Sequence, residues 1–103
     1  MKRLVLIAAL LVPSVASAQL VTGGDMFTRL NTEQSSAYLD GVMEALSYEW
    51  STNGKKNKAA CAIDWYYRTG GKTQRLLFDT FDRYKDKPVV GLLKAYIDRK
   101  CGK

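Results

Sequence analysis

Residues 31–50, NTEQSSAYLDGVMEALSYEW, decide the fold class. Leu39, Val42, Leu46 and Trp50 recur at three- and four-residue steps and make one apolar stripe, the signature of a helix that buries one side. Tyr38, Gly41, Ala45 and Tyr48 make a neighbouring stripe. Asn31 stands where an N-cap belongs, and Gln34 is placed to return the hydrogen bond in a capping box. The stretch therefore predicts a helix over 32–50. Gly41 weakens that helix by about 1 kcal/mol relative to alanine. Close approach of another helix at Gly41 is the expected compensation.

Working outward, Asn53-Gly54 stops this helix, and Lys55, Lys56, Asn57 and Lys58 read as a charged loop. Ala59 to Tyr67 fits either a short helix or an extended segment. Arg68 to Lys72 is a glycine turn, and Thr73 is placed to cap a helix over 74–84 with Leu77, Phe78, Phe81 and Tyr84 on one face. Pro88 suits the first position of a last helix, which carries Val90, Leu93, Ile97 and Cys101 along one side. Upstream, Gly23-Gly24 breaks a short lead-in, and Asp25 to Leu30 fits one or two helical turns. The expected fold is all-α, a small compact bundle of about four to five helices. No internal repeat, low-complexity tract or second domain is visible.

The start of the chain has a different character. Lys2 and Arg3 precede an apolar run from Leu4 to Val12, Pro13 and Ser14 break it, and Ala16-Ser17-Ala18 follows the small-x-small cleavage pattern. Residues 1–18 are expected to be a signal peptide cut after Ala18, leaving a single domain over 19–103. The apolar run is too short for the ~20 residues that span a bilayer, so no stable membrane insertion is expected after processing. Cys61 and Cys101 are the chain's two cysteines. In an oxidising compartment they have one pairing, and a domain this small gains from such a staple.

Without residues 1–18 the chain carries 14 basic and 10 acidic residues, a net charge of +4. Asp25, Glu33, Asp40, Glu44 and Glu49 dominate the first half, and the chain from Lys55 onward is mainly basic. Such a balance suits an acidic protein partner, peptidoglycan carboxylates or anionic lipid. Nucleic acid is a poor expectation for an exported chain.

Catalytic chemistry finds little footing. The absence of histidine excludes Ser-His and Cys-His arrangements, and two sulfurs with no imidazole make a poor zinc site. Gly71-Lys72-Thr73 resembles the end of a phosphate loop, but the glycine such a loop needs five positions earlier is Tyr66. No catalytic, cofactor or metal residue is assigned. Consecutive aromatics cannot all point inward, so Trp65 is expected in the core, with Tyr66, Tyr67 and Arg68 open to a partner or to packing. The candidate partner-binding residues are Lys55, Lys56, Asn57 and Lys58 together with Tyr66, Tyr67 and Arg68.

In order, Tyr38-Leu39-Asp40-Gly41-Val42-Met43-Glu44-Ala45, the mid-chain Cys61, Gln74, Phe81-Asp82-Arg83-Tyr84, Lys87-Pro88 and the late Cys101 resemble the Rap/Tai immunity proteins of bacterial type VI secretion. That family has a Tyr-x-x-Gly-Val-x-Asp-Ala core, a proline opening the last helix and a late cysteine. The resemblance covers nearly all of residues 19–103. Two features depart from it. Glu44 stands where aspartate is usual, and the second cysteine pair common in the family is missing around Arg29 to Asn31 and at Ala37.

The resemblance implies a periplasmic all-helical protein, often a homodimer, that inhibits a peptidoglycan amidase effector by occluding its active site. In that case Ser51 to Lys58 or Trp65 to Lys72 is expected to make the contact. The alternative is a periplasmic acid-stress chaperone of the HdeA kind, which loosens when its carboxylates protonate. A small enzyme, or a protein that keeps the fold in an unrelated binding role, are further alternatives.

Overall fold

The capping box forms as the sequence predicts. The Gln34 backbone amide donates to Asn31 Oδ1 at 2.8 Å, and the Asn31 amide donates to Gln34 Oε1 at 3.0 Å. In a computed structural model, which describes residues 20–103, five helices follow one another: α1 (Asp25–Thr28), α2 (Thr32–Thr52), α3 (Lys56–Tyr67), α4 (Lys72–Arg83) and α5 (Val89–Cys101). Among the described residues there is no strand, only an isolated antiparallel bridge between Thr22 and Pro88. Cys61 and Cys101 are joined. The predicted signal peptide lies outside the described residues.

The stretch left open at Ala59 to Tyr67 is helical. Ala59, Ala62 and Tyr66 bury one face of α3 at helical spacing. The helix starts earlier than the charge pattern suggested, so Lys56, Asn57 and Lys58 form its first turn and are not loop residues. α2 and α3 make an antiparallel hairpin, with Trp50 beside Lys58 at one end and Asp40 bonded to Tyr66 at the other.

The core is built from Met26, Leu39, Met43, Trp50, Tyr66, Leu77, Phe81, Val89, Leu93 and Ile97. On α2 the buried line runs through Ser35, Leu39, Met43 and Trp50, leaving Val42 and Leu46 half-buried beside it. No helix approaches Gly41: a Cβ there would meet nothing within 4 Å. On α4, Leu77 and Phe81 are buried, but Tyr84 falls just beyond the helix and is 47% exposed. On α5 the buried valine is Val89, with Val90 half-buried, and Pro88 is the N-cap and not the first helical residue.

That register is set by the lead-in. The Val89 amide donates to Val21 O at 2.8 Å, the Gly23 amide to Lys87 O at 2.9 Å and the Gly24 amide to Lys85 O at 2.9 Å. Gly23 is buried where a Cβ would sit 2.5 Å from Phe81 O and 2.8 Å from Tyr84 O. Two backbone carbonyls cannot yield as a flexible side chain would, so the docking requires glycine. Ser35 Oγ donates to Met26 O at 2.7 Å inside the core and ties α1 to α2.

Candidate binding surface

The turn between α2 and α3 ends in six consecutive exposed residues, Thr52 to Asn57. Gly54 supplies the positive φ, +78°, that lets the chain reverse. Behind this tip the molecule is braced. Cys61 on α3 is bonded to Cys101 at the end of α5. One helical turn earlier, the Lys58 ammonium donates to Asp98 Oδ1. Only 9% of the Lys58 side chain is exposed, and its Nζ lies 4.8 Å from the centroid of the Trp50 ring. The hydrogen bond from Lys58 holds the Asp98 carboxyl below its ordinary range. Lys55 Nζ donates to Lys103 O at 3.1 Å, which brings the last residue of the chain beside the tip.

The other end of α3 is held differently. Tyr66 is buried, and its hydroxyl donates to Asp40 Oδ1 at 2.8 Å. Burial first, and the facing carboxylate second, push that phenol well above the usual tyrosine range. Tyr67 packs edge-on against Tyr66 with ring centroids 4.7 Å apart, and 48% of it is exposed. Partial burial raises its phenol, as do Asp40 and Glu44. Arg68 pairs with Asp64 at 3.3 Å in full view of solvent. Trp65 is half-buried and stacks on Tyr96 at 6.3 Å.

Thr73 has a different role from the one predicted. Gly71 occupies the N-cap of α4, and Thr73 lies inside the helix, buried. Its hydroxyl donates to Trp65 O at 2.7 Å, and Gln74 Nε2 donates to Tyr66 O at 2.7 Å. Both acceptors are carbonyls from the last turn of α3, which have no partner within their own helix. Thr73 and Gln74 therefore cap the preceding helix and fix the angle between α3 and α4.

The seven candidate residues do not form one surface. Lys55 to Asn57 and Tyr66 to Arg68 lie at opposite ends of α3, about 15 Å apart along its axis. Contrary to the expectation for them, Lys58 and Tyr66 are not open to a partner: Lys58 is bonded to Asp98 with 9% of its side chain exposed, and Tyr66 lies in the core. Lys55, Lys56, Asn57, Tyr67 and Arg68 remain exposed. Sequence reasoning did not single out Arg83 and Arg99, which α4 and α5 bring to one cleft. Their signal was faint: two arginines near the ends of successive helices.

Among the described residues no helix is long and apolar enough to cross a membrane. The disulfide points to an oxidising compartment. No family model, no curated protein and no solved structure matches this chain.

Proposed function

We propose that this chain is a periplasmic binding protein that inhibits a peptidoglycan amidase effector by occluding its active site, as the Rap/Tai immunity proteins it resembles do. The observation that supports this reading is the α2–α3 tip. Thr52 to Asn57 project from a helical hairpin anchored from behind by Cys61–Cys101 and by Lys58–Asp98. Blocking by shape requires such an element, because a segment already held in its bound conformation loses little entropy on entering a cleft. Lys55 and Lys56 give the tip a positive charge suited to a cleft lined by carboxylates. Tyr67 and Arg68 face solvent about 15 Å away and are not part of this contact.

The test mixes the oxidised protein with a panel of periplasmic amidases and follows both complex formation and peptidoglycan cleavage. A stoichiometric complex with one of them, with cleavage abolished, is the expected result. Reversing the tip charge with Lys55→Glu and Lys56→Glu is expected to weaken inhibition at least tenfold, a loss of about 1.4 kcal/mol. Neither complex nor inhibition across the panel would overturn the proposal. Suppression of client aggregation at low pH, without amidase binding, would put the acid-stress chaperone in its place.

A further inference from the structure

The seam between α4 and α5 opens into a cleft of about 360 Å³. Arg83 and Tyr84 flank it from the α4 side and Arg99 and Tyr96 from α5, with Leu92 and Ala95 lining it as well. The polar groups of this cleft divide into spent and free. Thr80 Oγ1 lies 2.8 Å from Leu76 O and 2.8 Å from the Tyr96 hydroxyl. A threonine hydroxyl has one proton to give, and with it committed to the Leu76 carbonyl, Tyr96 is the donor to Thr80. The tyrosine ring is thereby fixed, and it also stacks on Trp65 and lies 5.9 Å from the Arg99 guanidinium.

Arg83, the Tyr84 hydroxyl and Arg99 are not committed to a hydrogen bond or an ion pair with any described residue, and Arg99 meets only the Tyr96 ring. Among the described residues, four basic side chains are ion-paired: Arg29, Lys58, Arg68 and Lys85. Neither Arg83 nor Arg99 is in an ion pair, and the cleft they border sets polar groups beside the apolar side chains of Leu92 and Ala95. Two forked donors beside Leu92 and Ala95 suit a ligand with the opposite pattern, carboxylates separated by aliphatic carbon. The volume lies near the lower end for ligand pockets, room for a few side chains and too little for a folded domain.

We propose that this cleft binds a short acidic peptide segment, with carboxylates meeting Arg83 and Arg99 and aliphatic side chains lying on Leu92. Charge complementarity selects this occupant. The site shares no residue with the α2–α3 tip and does not rest on the amidase reading, so either can fail alone.

The test titrates isotope-labelled oxidised protein with the capped peptide Glu-Leu-Leu-Glu at low salt and follows backbone and arginine Nε–H signals by NMR. Saturable shifts at Arg83, Leu92, Tyr96 and Arg99 are expected. Arg83→Gln and Arg99→Gln are each expected to weaken binding about tenfold, the scale of one charge-assisted hydrogen bond. The fold of each variant is expected to be unchanged, since neither guanidinium is ion-paired and Arg99→Gln gives up only an exposed contact with the Tyr96 ring. Three outcomes would each overturn the proposal: equal shifts with Gln-Leu-Leu-Gln, shifts centred on Lys55 and Lys56, or inorganic phosphate matching the peptide at equal concentration.

Discussion

Replacing Lys58 with methionine separates its ammonium contacts, with Asp98, the Trp50 ring and, at 3.4 Å, the Lys103 carbonyl, from its bulk. Methionine keeps most of the apolar stem, so the loss isolates the ammonium. That group donates to Asp98 from a side chain 9% exposed, and Asp98 itself keeps 28% of its surface in water. A hydrogen bond to a charged group is worth about 1.5–3 kcal/mol, with the lower end fitting a carboxylate still partly hydrated. The Trp50 ring at 4.8 Å adds about 0.5–1 kcal/mol. Lys58→Met is therefore expected to lower unfolding free energy by about 2 kcal/mol at neutral pH. The assay is urea denaturation of oxidised protein, repeated from pH 7 to pH 2.

The pH dependence has a definite sign. The Asp98 carboxyl is held below its unfolded value of about 3.9, chiefly by the Lys58 hydrogen bond. The stability it contributes is complete above the unfolded value and disappears as pH falls through the folded one. The difference between Lys58→Met and the parent should therefore shrink below about pH 4 toward what the Trp50 ring and the long contact with the Lys103 carbonyl retain. In a double-mutant cycle with Asp98→Asn, the coupling should be about 1 kcal/mol. A loss under about 0.5 kcal/mol at pH 7, or an equal loss at pH 2, would refute the claim that Lys58 clamps α3 to α5.

Two glycines should respond oppositely to alanine. Gly23→Ala forces a Cβ to 2.5 Å from Phe81 O, and a loss of about 2–3 kcal/mol with faster hydrogen exchange at the Val89 amide is expected. Gly41→Ala meets nothing and is expected to stabilise by about 1 kcal/mol; destabilisation in a thermal melt would show that a neighbour does pack there. Removing the disulfide with Cys61→Ala and Cys101→Ala opens a loop of 40 residues and should cost about 4 kcal/mol in urea, and less than about 1 kcal/mol would contradict the staple. Ser47 Oγ is buried without a hydrogen-bond partner, so Ser47→Ala should raise stability by about 1 kcal/mol, and a drop in Tm would mean that the hydroxyl is satisfied after all.

Local patterns carried far. The cap at Asn31, the presence of α2 and the pairing of Cys61 with Cys101 could be read directly, because each depends on neighbours in the chain or on a count of two. The buried line of α2, by contrast, passes through Met43 and leaves Val42 and Leu46 at its edge. Thr73 marks the boundary of that method. Its type and place suggested a cap for the helix ahead, and its hydroxyl turned back to α3, since the glycine turn carries α4 against the carbonyls that α3 leaves open.

The rest was decided by packing between segments distant in sequence. Lys58 looks like any lysine in a charged run until α5 brings Asp98 to it across 40 residues. Tyr66 and Tyr67 are indistinguishable as letters, and helical rotation buries one and exposes the other. Arg83 and Arg99 share a cleft because α4 and α5 pack together and no carboxylate follows them there. Composition and short-range periodicity set which helices form. Which charges are neutralised and which remain free depends on Coulomb and hydrogen-bond contacts that act over a few ångströms, and only the folded chain creates those distances.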